Sequence, residues 1–368
     1  MPRVDHEELH AFAQSVVEAF GTPTDVAESV ATSLVGADLR GHGSHGVRRL
    51  AEFYPEMIAR DQLRPAVRPT RTVETALFAG VDAGRGWGHH AGREAVELGI
   101  ERAADRGLGL ATVRNGAHLG RIGAFAERAA DRGYVCVCFT NTGGEAPMMA
   151  PPGSAERRLA ANPYTVGVPA FGELPHPVVL DTSMTNVSHG KILERKLAGE
   201  DVPEGWAVGE DGAPLTDAEA FEAGVGAILP VGGQQFGYKG AAMSAVAELL
   251  VGVLADGTVL GAGDDEAGLV NNGSVFLVVD PARLSDAEDD AARVAAYRDY
   301  LDATAFSDAV PAGEAWDDRL WLPGRVEYDR RRGREAAGIP LDDRTVASLV
   351  DVASEYDVAE RPAAFPAE

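Results

Sequence analysis

Gly41-His42-Gly43-Ser44-His45-Gly46 has the G-x-G-x-x-G spacing of a dinucleotide-binding loop, and its setting argues against that assignment. A phosphate-cradling loop of that kind follows a buried strand, opens a helix, and is answered about 20 residues on by an acid for the ribose. Here the preceding stretch, Asp25 to Arg40, repeats Val26, Val30, Leu34 and Val35 at helical spacing, so a helix feeds the glycines. The nearest following acids are Glu52, Glu56 and Asp61. A phosphate cradle has no use for the imidazole of His45, whereas proton transfer does. The segment reads as an acid–base histidine at a glycine-lined helix start.

Composition narrows the class. A chain of 368 residues, 45% hydrophobic and 24% charged, is globular and long enough for two or three domains. The N-terminus, MPRVDHEELH, lacks the basic-then-apolar order of a secretory signal. The most apolar run, Met243 to Ala255, is short for a membrane span and carries Glu248. The expectation is a soluble cytoplasmic protein with no membrane partner. A net charge of −24 with no basic cluster argues against nucleic acid. The bases are 3 Lys (Lys191, Lys196, Lys239) against 30 Arg, which suits an acidic surface at high salt. A GC-rich genome would favour the same arginines. Cys136 and Cys138 alternate along one strand face, a weak metal pattern, and read as buried thiols.

The first 60 residues read as helices. Residues 5–20 carry Leu9, Phe12, Val16, Val17 and Phe20 on one face, and a third helix is expected from about Ser44, kinked at Pro55. Leu63 to Thr75 looks like a connector. From about Val73, strands alternate with helices: helix 90–105, strand 108–113, a loop Arg114 to Gly120, helix 121–131, strand 134–140, and the polar turn Thr140-Asn141-Thr142-Gly143-Gly144. Strands near 164–169 and 177–181, helix 240–255 and strand 274–279 follow. Residues 285–368 return to helices and loops, with a frayed end at 361–366. This gives an α/β domain at 73–284 and a helical domain combining 1–72 with 285–368.

Within that layout, Ser44 as a helix N-cap would place His45 and Arg49 four apart on one face. A histidine there exchanges a proton with an alcohol or carbonyl near neutrality, and a helix N-terminus favours its neutral form. Arg49 can grip a carboxylate bidentately. The plain alternative is a capping serine beside a solvated histidine and surface arginines. His118 lies in a loop near Gly120 and Gly123. Asp181 ends a strand, where it can orient an imidazole or cap the following turn. Lys239 stands between Gly237 and Gly240 at a helix start, a setting for phosphate; Lys191, after His189-Gly190, is a weaker case. His42 reads as surface, and His89-His90 and His176 as structural. Metal dependence is not indicated.

Together these stretches resemble the malate/L-lactate dehydrogenase family, which lacks a Rossmann fold. The resemblance runs through Ser44-His45-Gly46 with Arg49, Arg114-Asn115 with His118-Leu119-Gly120, Asn162-Pro163, Asp181, Gly190-Lys191-Ile192 and Pro203-Glu204-Gly205-Trp206. It continues through Leu229-Pro230, Tyr238-Lys239-Gly240, Leu322-Pro323-Gly324 and Gly338-Ile339-Pro340-Leu341-Asp342-Asp343. It implies a non-Rossmann mixed-sheet domain binding NAD or NADP in extended form near a subunit interface, in a homodimer or larger assembly. It implies His45 as proton donor and acceptor supported by Asp181, with His118, Ser44 and Arg49 around substrate and nicotinamide. Gly120, Thr140, Asn141, Asn162, Ser183, Lys239 and Gly240 would then line the cofactor. Two positions depart from the family pattern: Ala161 replaces a threonine before Asn-Pro, and Ala241-Ala242-Met243 replaces a glycine and leucine.

The expected activity is hydride transfer between NAD(P) and a small 2-hydroxy or 2-oxo acid, malate or lactate-like. The alternatives are a cyclic-imine reductase of the same family and a non-catalytic nucleotide sensor.

Overall fold

A computed structural model describes residues 1–142, 147–262, 271–305 and 322–366. The Gly143-Gly144 end of the polar turn lies outside the described residues.

The N-terminal helices form where the apolar spacing placed them. Helix α1 (His6–Ala19) starts at Asp5, whose carboxylate accepts from Glu7 N and Glu8 N and so satisfies two of the free first-turn donors. Helix α2 (Thr24–Leu39) packs on it. Beyond Arg40 the expected single helix does not form. Gly43–His45 makes one 3₁₀ turn, Gly46 is extended, and two short helices follow, α3 (Arg49–Glu52) and α4 (Tyr54–Ala59). Pro55 has no N–H for the carbonyl of Ala51 and its ring clashes there, so Phe53 leaves helical geometry at φ −132° and the helix breaks instead of bending. Ser44 is therefore no helix cap, and His45 and Arg49 do not share a helix.

The connector holds a strand, β1 (Thr70–Glu74), which pairs with β2 (Phe78–Asp82). Next come α5 (Gly88–Arg106) and β3 (Leu108–Gly116), which extends three residues into the expected loop. They are followed by α6 (Gly123–Ala130), β4 (Val135–Asn141), β5 (Tyr164–Val168) and β6 (Val178–Thr182). Helices α7 (His189–Ala198) and α8 (Tyr238–Ala255) precede β7 (Asn272–Val279). The sheet order is β1-β2-β3-β7-β4-β5-β6. Only the β2–β3 pair is parallel among these pairings. A doubly wound nucleotide fold needs parallel strands joined by crossovers, so this mixed sheet is of another kind. Cys136 and Cys138 are fully buried free thiols on β4, and burial pushes Cys136 up to about 12.

One core joins the two ends of the chain. Leu9, Phe12 and Val16 of α1 and Val30 and Leu34 of α2 pack with Leu50, Tyr54 and Trp87, and with Leu349 and Val352 of α9 (Asp343–Glu355). Arg3–Val4 pairs with Ile339–Pro340. The expected frayed end is not frayed: Phe365 is buried edge-on against Phe12 at 5.3 Å, contributing roughly 1.5–3 kcal/mol. A second core lies between α5, α6 and the sheet, with Phe125 against Phe276 at 5.4 Å.

Helix α8 is long and apolar enough, by length and composition alone, to cross a membrane. In the fold it docks on the sheet by a buried carboxylate. Glu248 accepts from Asn141 Nδ2 at 3.2 Å and Asn162 Nδ2 at 2.7 Å. Its opposite face, with Val246, Leu249 and Val253, is exposed.

Candidate active site

Three imidazoles meet where the N-terminal helices touch the loop after β3. The rings of His45 and His118 are stacked, with centroids 5.6 Å apart and planes 22° apart. His45 Nδ1 lies 3.0 Å from Ser44 Oγ, and His118 Nδ1 lies 3.1 Å from Tyr54 Oη. Tyr54 Oη is also 3.2 Å from Nε2 of the third imidazole, His89. Burial, then the neighbouring Arg49 cation, holds His45 and His118 below the usual histidine range and His89 at about 3. All three rings are neutral at physiological pH, and those of His45 and His118 each turn Nδ1 to the protein. A neutral imidazole with a bare nitrogen accepts a proton, and with an N–H it donates a hydrogen bond.

The turn that carries His45 is shaped from beneath. Asp38 of α2 is buried and accepts from Val47 N at 2.8 Å, tying α2 to the Gly43–His45 turn. Burial raises its carboxyl to about 7, against that hydrogen bond. Gly46 lies over it so closely that an added Cβ would overlap the carboxylate. Arg49, the first residue of α3, is held at the turn by neighbours in sequence on either side of it. Its Nε donates to Ser44 O at 2.6 Å, and the guanidinium sits 4.4 Å over the Phe53 ring. Phe53 in turn meets His118 edge-on at 5.5 Å. The α7 start reaches the same place, since a Cβ on Gly190 would stand 3.0 Å from Ser44 Cβ.

Asp181 is placed differently from the expectation. Its Oδ2 accepts from Gly123 N at 2.9 Å, capping α6 from another element, and its Oδ1 accepts from Thr165 Oγ1 at 2.9 Å. Arg121, 4% exposed, stands 3.8 Å from Asp181 and 2.6 Å from Glu127. No hydrogen bond joins Asp181 to His45 among the described residues; Arg121 stands beside Asp181 and is the smallest of the charges that lower His45.

The residues expected along the cofactor gather around α8. Asn141 and Asn162 have their amides engaged inside the protein, with Glu248, Thr258 O and Ser244 O. Thr140 Oγ1 pairs with Ser274 Oγ at 2.7 Å. Ser183 Oγ lies 2.8 Å from Thr185 Oγ1. Gly240 lets α8 approach the neighbouring backbone, because a Cβ there would stand 2.6 Å from Val231 N and 3.0 Å from Met184 O. Lys239 is exposed in the first turn of α8, which has no side-chain cap. Gly120 belongs to the histidine group: at φ +76° an added Cβ would stand 2.6 Å from His89 Cδ2.

Sequence reasoning did not single out Tyr54 or Arg121, and it read His89 as structural. Their positions relative to His118 come only from the fold. A surface hollow of about 440 Å³ lined by His6, His10, Leu39 and Arg331 lies elsewhere, and none of the clustered histidines borders it.

Paired neutral histidines beside an arginine can exchange a proton and hold an anion. The family model described as malate/L-lactate dehydrogenase matches residues 4–350, and the chain belongs to that family. It is 34% identical over 322 residues to L-lactate dehydrogenase of Cupriavidus necator, covering 87% of this chain and 88% of that protein. The structure of malate dehydrogenase from Pyrococcus horikoshii matches with a TM-score of 0.83 at 28% identity, covering 97% of this chain and 96% of that one. That of delta1-piperideine-2-carboxylate reductase from Pseudomonas syringae matches with a TM-score of 0.81 at 25% identity, covering 96% and 100%. Such a dehydrogenase family implies a nicotinamide cofactor.

Proposed function

We propose that this protein interconverts a small 2-hydroxy acid, malate or lactate-like, with its 2-oxo acid, using NAD or NADP. The observation that carries the reading is the stacked pair His45 and His118, each with Nδ1 held by the protein, beside the Arg49 guanidinium.

The residues present suit a nicotinamide cofactor. The uncapped first turn of α8 offers backbone N–H groups and the Lys239 ammonium to a phosphate. Gly240 lies in that turn against the backbone of Met184, next to Ser183, while Asn141 and Asn162 hold backbone groups of the neighbouring wall and Thr140 bonds Ser274 Oγ. The bound cofactor supplies or accepts the hydride. In oxidation His45 takes the hydroxyl proton of the substrate, and in reduction it returns that proton to the carbonyl oxygen. Arg49 orients the substrate carboxylate, its plane steadied by Ser44 O and the Phe53 face. Asp181 fixes α6 and stands beside Arg121.

The exposed apolar face of α8 supports a homodimer, since a second copy covering it would remove Val246, Leu249 and Val253 from water. The likeness to a cyclic-imine reductase favours one second reading, in which the same proton goes to the substrate nitrogen. Pyruvate, oxaloacetate and a cyclic imine carboxylate, each assayed with NADH and NADPH, separate the two. Turnover of a 2-oxo acid is expected; turnover confined to the imine overturns the hydroxyacid assignment.

A further inference from the structure

Beyond the paired rings, the structure ties His118 to two enclosed residues. His118 Nδ1, Tyr54 Oη and His89 Nε2 follow one another at 3.1 and 3.2 Å. Tyr54 is fully buried and His89 is 2% exposed, so no bulk water competes for these bonds. The proposed reaction uses neither residue.

The phenol has one proton, so it donates to one ring and accepts from the other. If it donates to His89, then His89 carries its own proton on Nδ1. That atom is buried and has no hydrogen-bond partner among the described residues. If it donates to His118 instead, His89 is protonated on Nε2 and the atom left alone is a bare lone pair. A buried N–H without an acceptor is among the rarest arrangements in proteins, and an under-used acceptor costs less. The second arrangement wins. A charged His89, which would need donors on both nitrogens, is excluded by the burial that holds it neutral.

We propose that Tyr54 and His89 are positioning residues that lock His118 with its proton on Nε2, so that His118 gives a hydrogen bond to the substrate oxygen while His45 alone moves the proton. The proposal rests on the functional reading above in placing substrate at these rings. Two features of the fold serve this arrangement. The missing side chain at Gly120 makes room for the His89 ring, and Trp87 closes on Tyr54 edge-on at 4.9 Å.

The test reads the tautomer directly. The full chain, labelled with ¹⁵N-histidine and free of substrate near pH 7, is examined by two-bond ¹⁵N–¹H correlation, with His118 identified by its loss in His118→Gln. The expected pattern is a proton on Nε2 in the wild type and a mixture of tautomers in Tyr54→Phe, which keeps the ring and its packing. In steady-state assays of 2-oxo acid reduction, Tyr54→Phe and His89→Leu should lower kcat roughly tenfold, one hydrogen bond's worth, with KM little changed. His89→Gln, whose amide can still donate to the phenol oxygen, should recover most of that loss. A proton on Nδ1 of wild-type His118, a spectrum unmoved by Tyr54→Phe, or equal kcat in the Leu and Gln variants overturns the proposal. A wild type that reduces no 2-oxo acid yet carries the Nε2 proton on His118 rejects the substrate class and upholds the tautomer lock.

Discussion

The imidazoles of His45 and His118 lie face to face, 5.6 Å between centroids, and each is anchored through Nδ1, by Ser44 and Tyr54 respectively. Two cations would repel at that separation, so the pair is built to hold at most one proton beyond neutrality. Under the proposed function, Nε2 of each ring is the atom that meets the substrate.

Replacing His45 removes the group that carries the substrate proton. His45→Ala should lower kcat by a factor of about 10²–10⁴. Full turnover in this variant, measured on whichever oxo acid the wild type accepts, contradicts the assignment.

Arg49→Lys keeps the charge and loses the planar fork that stacks over Phe53 and holds Ser44 O. KM for the acid substrate should rise with kcat less affected. An unchanged KM takes Arg49 out of the substrate site.

Gly46 has an ordinary negative φ of −93°, so its need for glycine is steric alone. Gly46→Ala would drive a methyl group into the Asp38 carboxylate, which is buried and cannot swing away. The turn must shift and carry His45 with it. Activity should fall at least tenfold and the melting temperature should drop, at a cost of about 1–3 kcal/mol. A variant with wild-type kcat and stability would show that the turn has slack.

Acid should destabilise the protein in a window set by the histidines. His89 titrates near 3 in the fold and near 6.5 when unfolded, so between those values the unfolded chain binds the extra proton. Its contribution is whole above 6.5 and is lost as pH falls toward 3; His45 and His118, also depressed, act in the same sense. Asp38 opposes them: raised from 3.8 to about 7, it stabilises most below 3.8 and loses that contribution as pH rises through 7. The site histidines outnumber Asp38, so stability should fall from pH 6.5 to 4. Asp38→Asn keeps an acceptor for Val47 N and should steepen the loss. Thermal melts across this range check both, and a wild-type melting temperature flat from 6.5 to 4 excludes the buried neutral histidines.

The net charge of −24 repels itself in dilute buffer and is screened within a few ångströms at high salt. We expect the melting temperature to climb steadily from dilute buffer to multimolar KCl. Full stability without salt would assign the arginine bias to codon usage.

Periodicity in the chain determined the helices at both ends, most strands of the sheet and the rejection of a phosphate loop at 41–46, because helix and strand patterns repeat within a few residues. His45, His118 and Arg49 could be named from their local settings and from the family resemblance. The break at Phe53 was local too, since Pro55 causes it two residues away. Tertiary structure alone decided that Asp181 caps α6, that Asn141 and Asn162 grip Glu248, and that Tyr54 joins His89 to His118. A hydrogen bond acts over about 3 Å, whereas these partners stand 35 to 107 residues apart along the chain. Nothing in a linear order of side chains encodes which of them will share a proton.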